Sequence, residues 1–157
     1  MSGLIPMFTM SSVFQKIDRF AEKRVHNMVM ALARAGSEFA NDAKLTGTYN
    51  NITGNLRNSI GYTVLLHGQP QIRGVSSTVS GGMDGMAKAR EFIGEMAGDA
   101  SNQSGAVLIG FAAMEYAAPV ESKGRDVITQ SIPIGKAAIK RYFRDVDGDV
   151  KPPEDLE

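Results

Sequence analysis

The chain has 157 residues, with 17 Lys plus Arg balanced by 17 Asp plus Glu and no cysteine. That length suits one ordinary domain with a real core, and the even charge excludes a global pull toward nucleic acid or an anionic membrane. The lack of cysteine removes disulfides, thiolate metal sites and a catalytic thiol, and fits a reducing compartment.

The opening MSGLIPMFTM carries no Lys or Arg and is interrupted by Pro6, so it reads as a flexible apolar arm over residues 1–10 and not as a signal peptide. No run approaches the ~20 apolar residues that span a bilayer, so a soluble intracellular chain is expected. From Ser11 to Lys44, Phe14, Ile17, Ala21, Val25, Met28, Leu32, Ala35 and Phe39 recur at spacings of three and four. At 100° per residue they share a stripe roughly 80° wide, which predicts an amphipathic helix. Ser11 or Ser12 is the expected cap, and Gly36 the expected weak point or bend. If straight, the helix is about 51 Å long, whereas a compact domain of this size is roughly 39 Å across. Either it bends near Gly36 or one end leans on a neighbouring subunit.

Beyond a polar turn, Thr53 is expected to cap a short helical turn, with Gly54 and Asn55 in its first positions and Leu56 pointing inward. Asn58 and Ser59 end that turn, and Ile60 opens a strand in which Tyr62, Val64 and Leu66 alternate with Gly61, Thr63 and Leu65. His67 to Pro70 reads as a hairpin turn and Gln71 to Val79 as the returning strand. A second helix is expected over Asp84–Ala97, capped by Asp84, with Met86, Ala89, Ile93 and Met96 inward. Gly98–Gly105 reads as a loop, and Ala106–Phe111, AVLIGF, as a buried strand. Tyr116, Ala117 and Val120 suggest a short helix that accepts Pro119 in its first turn. An extended piece is expected over Asp126–Gln130. A last helix is expected from Ser131 to about Val146, burying Ile139, Tyr142, Phe143 and Val146. The order predicts an α+β fold: a long N-terminal helix packed on a small, mainly antiparallel sheet, with two or three further helices. Residues 11–146 form the single domain, and 147–157 an acidic flexible tail.

Signals for chemistry are sparse. Gly81, Gly82, Gly85 and Lys88 lack the spacing and the hydroxyl of a phosphate loop. Asp145, Asp147 and Asp149 open a calcium-loop pattern that fails at Val150 and Leu156. His26 and His67 are too few for a metal site or a triad, Ser59, Ser104 and Ser122 lack a nucleophile context, and Glu91, Glu95, Glu115 and Glu121 read as surface carboxylates. No catalytic, metal or cofactor residue is assigned, and the chain is not expected to be an enzyme. Lys136, Lys140 and Arg144 form an i, i+4, i+8 stripe on the last helix, with Arg141 nearby. This is either a surface for DNA phosphate or a subunit, or a solvated face paired with the acidic tail.

Two segments carry a resemblance. Thr53-Gly54-Asn55-Leu56-Arg57-Asn58-Ser59-Ile60, leading into a hairpin behind a long helix, and Tyr116-Ala117-Ala118-Pro119-Val120-Glu121, following a strand that ends in Gly110-Phe111, resemble the small neck and tail-completion proteins of long-tailed double-stranded DNA phages and prophages. The resemblance spans roughly residues 11 to 146. It departs at Ser122 and Lys123, which precede Gly124 where the family pattern has glycine two residues after the glutamate. It implies a non-enzymatic virion protein, assembled in the bacterial host cytoplasm and located in the neck or at the top of the tail. Such a protein forms a ring around the DNA channel at the head-tail junction, with tail terminator and head-side adaptor ring as alternative positions. Outside that class, the alternative is a small nucleic-acid-binding module. The implied partners are further copies of the chain, six being favoured, neighbouring neck and tail proteins, and packaged DNA through non-specific contact; no membrane is involved. Within the motifs, Thr53, Gly54, Leu56, Arg57, Ser59, Ile60, Tyr116, Val120 and Glu121 are the structural residues. Leu56 is expected to anchor the elbow, and Arg57 to pair with Glu121 within a subunit or across an interface.

Overall fold

A computed structural model describes residues 9–77 and 79–146; the acidic tail over 147–157 and most of the expected N-terminal arm lie outside them. Helix α1 runs from Met10 to Thr46 without interruption. Its cap is Thr9, not Ser11 or Ser12: the Thr9 hydroxyl accepts from the Ser12 amide at 3.1 Å, while the Ser12 hydroxyl accepts from the Thr9 amide at 3.3 Å. This reciprocal capping box satisfies donors that the first turn leaves open, so the helix starts inside the expected arm.

A four-residue helix, α2 (Asn55–Asn58), leads into strand β1 (Ile60–Leu66), which turns through His67 and Gly68 into β2 (Gln69–Gly74). Both turn residues have positive φ, 49° and 75°, as a two-residue hairpin turn with the twist of its strands requires. The returning strand therefore begins at Gln69, two residues before its expected start, and ends at Gly74. Pro70 is tolerated because β2 is an edge strand and the register slips beside it, Val64 facing Ile72 but Leu65 facing Pro70. Helix α3 (Met83–Gly98) starts behind Gly82, one residue before its expected cap, and β3 (Ala106–Ala112) pairs antiparallel with β1 on the other side. The sheet order is β2-β1-β3.

Thus β1 is the central strand and is buried on both faces, whereas β3, expected to be buried, is a half-buried edge strand. An apolar run reports affinity for a core but not a place in the sheet. One sheet face takes α1, with Val29, Met30, Leu32, Ala33, Phe39 and Ala40 packed on Tyr62 and Val64. The other takes α3, where Ala89 and Ile93 meet Val75 and Phe111, and the Phe92 and Phe111 rings stand 4.8 Å apart.

The helix runs through Gly36 without a break, and close packing requires glycine there. A Cβ there would stand 2.3 Å from the Tyr62 ring, and one at Gly74 only 1.9 Å from it. The two glycines make the space that lets the fully buried Tyr62 ring sit between α1 and β2.

Helix α4 (Ala117–Ser122) carries Pro119 in its first turn, where a missing N–H costs nothing. The extended piece expected over Asp126–Gln130 is absent; its end is a 3-10 turn, Thr129–Ser131. Helix α5 (Ile132–Phe143), with Pro133 in its first turn, packs along the C-terminal half of α1. It buries Gly135 and Ala138, with Ile139 and Tyr142 half-buried; Phe143, expected inside, is exposed, and Val146, the expected helix end, lies half-buried three residues beyond it.

Candidate interaction surfaces

The two motif segments, far apart in sequence, meet in one apolar cluster. Leu56 and Ile60 from the elbow pack with Ala117 and Val127, supported by Ala43 and Tyr49 from the end of α1 and its following loop, and Val120 lies against them. Leu56 is buried as an elbow anchor. Thr53 does not occupy the cap position: Gly54 does, with φ of 81°, and the Thr53 hydroxyl accepts the Asn55 amide at 3.4 Å from one residue further back. A left-handed residue at that point suits glycine and lets the chain turn sharply into α2. The Ser59 hydroxyl donates to the Leu56 carbonyl at 2.8 Å, and the side-chain amide of buried Asn58 donates to the Gly81 carbonyl at 2.9 Å, tying the elbow to the loop before α3. Tyr116 stays exposed.

Glu121 does not pair with Arg57 within the subunit. Its Oε1 accepts from the Val127, Ile128 and Thr129 amides at 3.2, 2.8 and 3.0 Å and from the Thr129 hydroxyl at 3.0 Å. Burial alone raises the Glu121 pKa, but these donors, the Ile128 amide and the Thr129 hydroxyl foremost, outweigh it and hold the value below the ordinary 4.5. The carboxylate takes the amides that a strand over 126–130 would have offered to a ladder. Asp126 completes the lock: its amide donates to the Thr48 hydroxyl at 2.8 Å and its carbonyl accepts the Thr48 amide at 3.1 Å. Arg57 instead lies by the buried Tyr49 hydroxyl. Burial raises the Tyr49 pKa, Arg57 draws it back down, and the charge of Asp126 adds to the rise. All of this chemistry is internal bracing.

The basic stripe divides. Arg141 Nη2 reaches both oxygens of Glu38 on α1, at 2.6 and 2.5 Å, and the Tyr142 hydroxyl donates to the same carboxylate. Burial opposes ionisation of Glu38, but Tyr142 and Arg141 prevail and hold its pKa below the ordinary value. Arg141 therefore clamps α5 to α1 while staying exposed, and Lys136, Lys140 and Arg144 are exposed as well. Lys136 also rims an apolar hollow of about 170 Å³ between α1, β3 and α5, walled by Phe39, Leu108, Ile128, Ile132 and Ile139. On α3, Glu91 and Glu95 share a shallow depression with Glu115 and Lys88, whose Nζ stands 3.0 Å from Glu91. Among the described residues no group of three or more His, Cys, Asp or Glu is placed to hold a metal ion, and no helix is long and apolar enough to cross a membrane.

The N-terminal half of α1 carries a run of exposed apolar side chains. Met10, Phe14, Ile17 and Phe20 are each more than half exposed, and Val25 is exposed as well. Of the expected stripe, Leu32, Ala35 and Phe39 are buried and Met28 half-buried, but Phe14, Ile17, Ala21 and Val25 have no cover. The cover begins at Asn27, whose side-chain amide donates to the Val146 carbonyl at 2.9 Å just beyond α5. No family model, curated protein or solved structure matches the chain.

Sequence reasoning did not find the Glu121 cradle, the Glu38 clamp or the apolar hollow. The first had a readable signal, a glutamate closing a short helix ahead of the turn-forming Ser-Lys-Gly. The other two depend on how α5 crosses α1, which no local pattern carries.

Proposed function

We propose that this chain is a non-enzymatic structural protein of a phage neck, completing the tail and joining it to the head as a ring around the DNA channel. The observation that carries the reading is the uncovered apolar half of α1. A helix that packs one half on its own sheet and extends the other, apolar stripe outward is built to be completed by another surface. Asn58, Ser59 and Glu121 of the motifs are taken up in bracing the fold, which suits a part whose task is shape. Six copies are favoured by the resemblance to proteins beside a six-fold tail. A ring follows physically when one heterologous contact repeats with a closing rotation.

The deciding experiment is a particle assembled without the chain. The expected result is filled heads and finished tails that remain unjoined, with infectivity restored when the protein is supplied. Infectious particles at normal yield without it overturn the neck reading. A second reading, a nucleic-acid-binding module, draws on exposed Lys136, Lys140 and Arg144. It requires log affinity for duplex DNA to fall steeply with log salt, and a flat slope removes it.

A further inference from the structure

We infer that residues 10–26 of α1 pack side by side, parallel and level, against the same segment of further copies of this chain. This deepens the ring reading and rests with it on self-assembly. At 100° per residue Ile17, Met10, Ala21, Phe14 and Val25 occupy roughly 80° of the circumference, and Val13 and Phe20 continue the strip on one side beyond Arg24, which falls between Ile17 and Val13. Phe14 is 57% and Phe20 63% exposed, with the Arg24 guanidinium 5.7 Å above the Phe20 ring. Aromatic side chains carry about 150–250 Å² each, so the strip leaves on the order of several hundred Å² of apolar surface in water.

The occupant is identified by the flanks. Beyond Val25 on one edge follow Asp18 and Glu22, and beyond Phe20 on the other follow Lys16 and Lys23; all four are exposed. One flank is acidic and the other basic. A second copy rotated about an axis parallel to the helix presents its basic flank to the acidic flank of the first, and this holds around a ring of any number. An antiparallel pair brings acid to acid and base to base, which is repulsive. The acidic pair also lies between Lys16 and Lys23 along the helix, so opposite flanks meet without axial stagger. Contact with no rise per subunit is what a closed ring requires and what a filament lacks. The apolar strip is smaller than the roughly 800 Å² per partner of a stable binary complex, so the arm acts as one part of a cooperative ring and not as a tight dimer by itself.

The native chain has no cysteine, so single cysteines report the geometry directly. Full-length Asp18→Cys and Lys16→Cys chains, oxidised separately and as a mixture over a range of concentrations, are compared by non-reducing electrophoresis. The expected result is a mixed disulfide at least tenfold more abundant than either homodimer. Asp18→Cys homodimers predominating overturn the parallel arrangement. The absence of any cross-link, while the wild-type chain oligomerises by light scattering, overturns the arm as the contact and leaves the ring. The absence of any cross-link from a chain that is monomeric throughout overturns the self-pairing, and the neck reading is then judged by the particle experiment alone. As a check on charge, the variants Asp18→Lys/Glu22→Lys and Lys16→Glu/Lys23→Glu are each expected to lose association and to recover it when mixed. Unchanged association of either variant alone overturns the flank assignment.

Discussion

The two halves of α1 obey the same apolar period and meet opposite fates. From Asn27 to Lys44 the helix is buried almost all round, with Ala31, Ala33, Ala35, Ala40 and Ala43 at no more than 2% exposure. From Met10 to His26 most of its apolar side chains are larger, yet all but the half-buried Val13 stand in water. Small side chains let a helix approach two neighbours at once, and here the sheet and α5 close on the alanine-rich half. The bulky half has large residues on one side and charges on both flanks, a surface suited to later burial against one kind of partner. Apolar content alone does not say which part of a helix is core; side-chain size around the whole circumference does.

Substitutions that separate the halves sharpen the contrast. The largest expected effect is in the buried half, where Phe39→Ala removes a ring packed between the sheet and α5 and is expected to cost about 3–5 kcal/mol by chemical denaturation. Leu56→Ala, which takes the anchor from the cluster holding the end of α1, is expected to cost about 2–5 kcal/mol; an unchanged midpoint removes the elbow argument.

Glu121→Ala leaves three backbone amides without their acceptor and is expected to cost about 1–3 kcal/mol near neutral pH. The pKa of Glu121 is lowered in the folded chain, so its contribution is present above the ordinary value of 4.5 and is lost as pH falls through the folded value. Wild-type stability is therefore expected to decline on acidification below about pH 4.5, more steeply than that of Glu121→Ala. Glu38, lowered in the same sense, contributes to the remaining decline in both proteins. Parallel pH profiles remove the cradle as the cause. The smallest effect belongs to the exposed half: Phe14→Ala is expected to change the stability of the monomer by within about 0.5 kcal/mol while weakening association. A large loss of monomer stability contradicts the distinction between the halves.

Much of the element order was legible because period and punctuation are local. The eight-residue stripe marked α1, the turn residues around His67 and Gly68 marked the hairpin, and Pro119 and Pro133 fell in first turns. What was not legible depended on partners. Gly36 looks like a weak point until Tyr62 is placed against it. Asp126–Gln130 looks extended until Glu121, six to eight residues away, captures its amides. AVLIGF looks central until β1 is seen to hold that place. At the surface, the apolar strip of α1 and the stripe on α5 could be read as patterns. Their standing could not, because Arg141 is bound by Glu38 and Phe14 was left without cover by tertiary packing.

The unbroken passage of α1 through Gly36 makes the helix a ruler. Its 37 residues run about 55 Å along the helix axis from Met10 to the end that feeds the elbow. Both length and angular phase are therefore fixed between whatever meets the tip and the domain at the base. Seven residues inserted near Arg19 lengthen the rod by about 10 Å while turning the tip by only about 20°, whereas five lengthen it by about 8 Å and turn it by about 140°. A machine indifferent to reach but sensitive to direction accepts the first insertion and rejects the second.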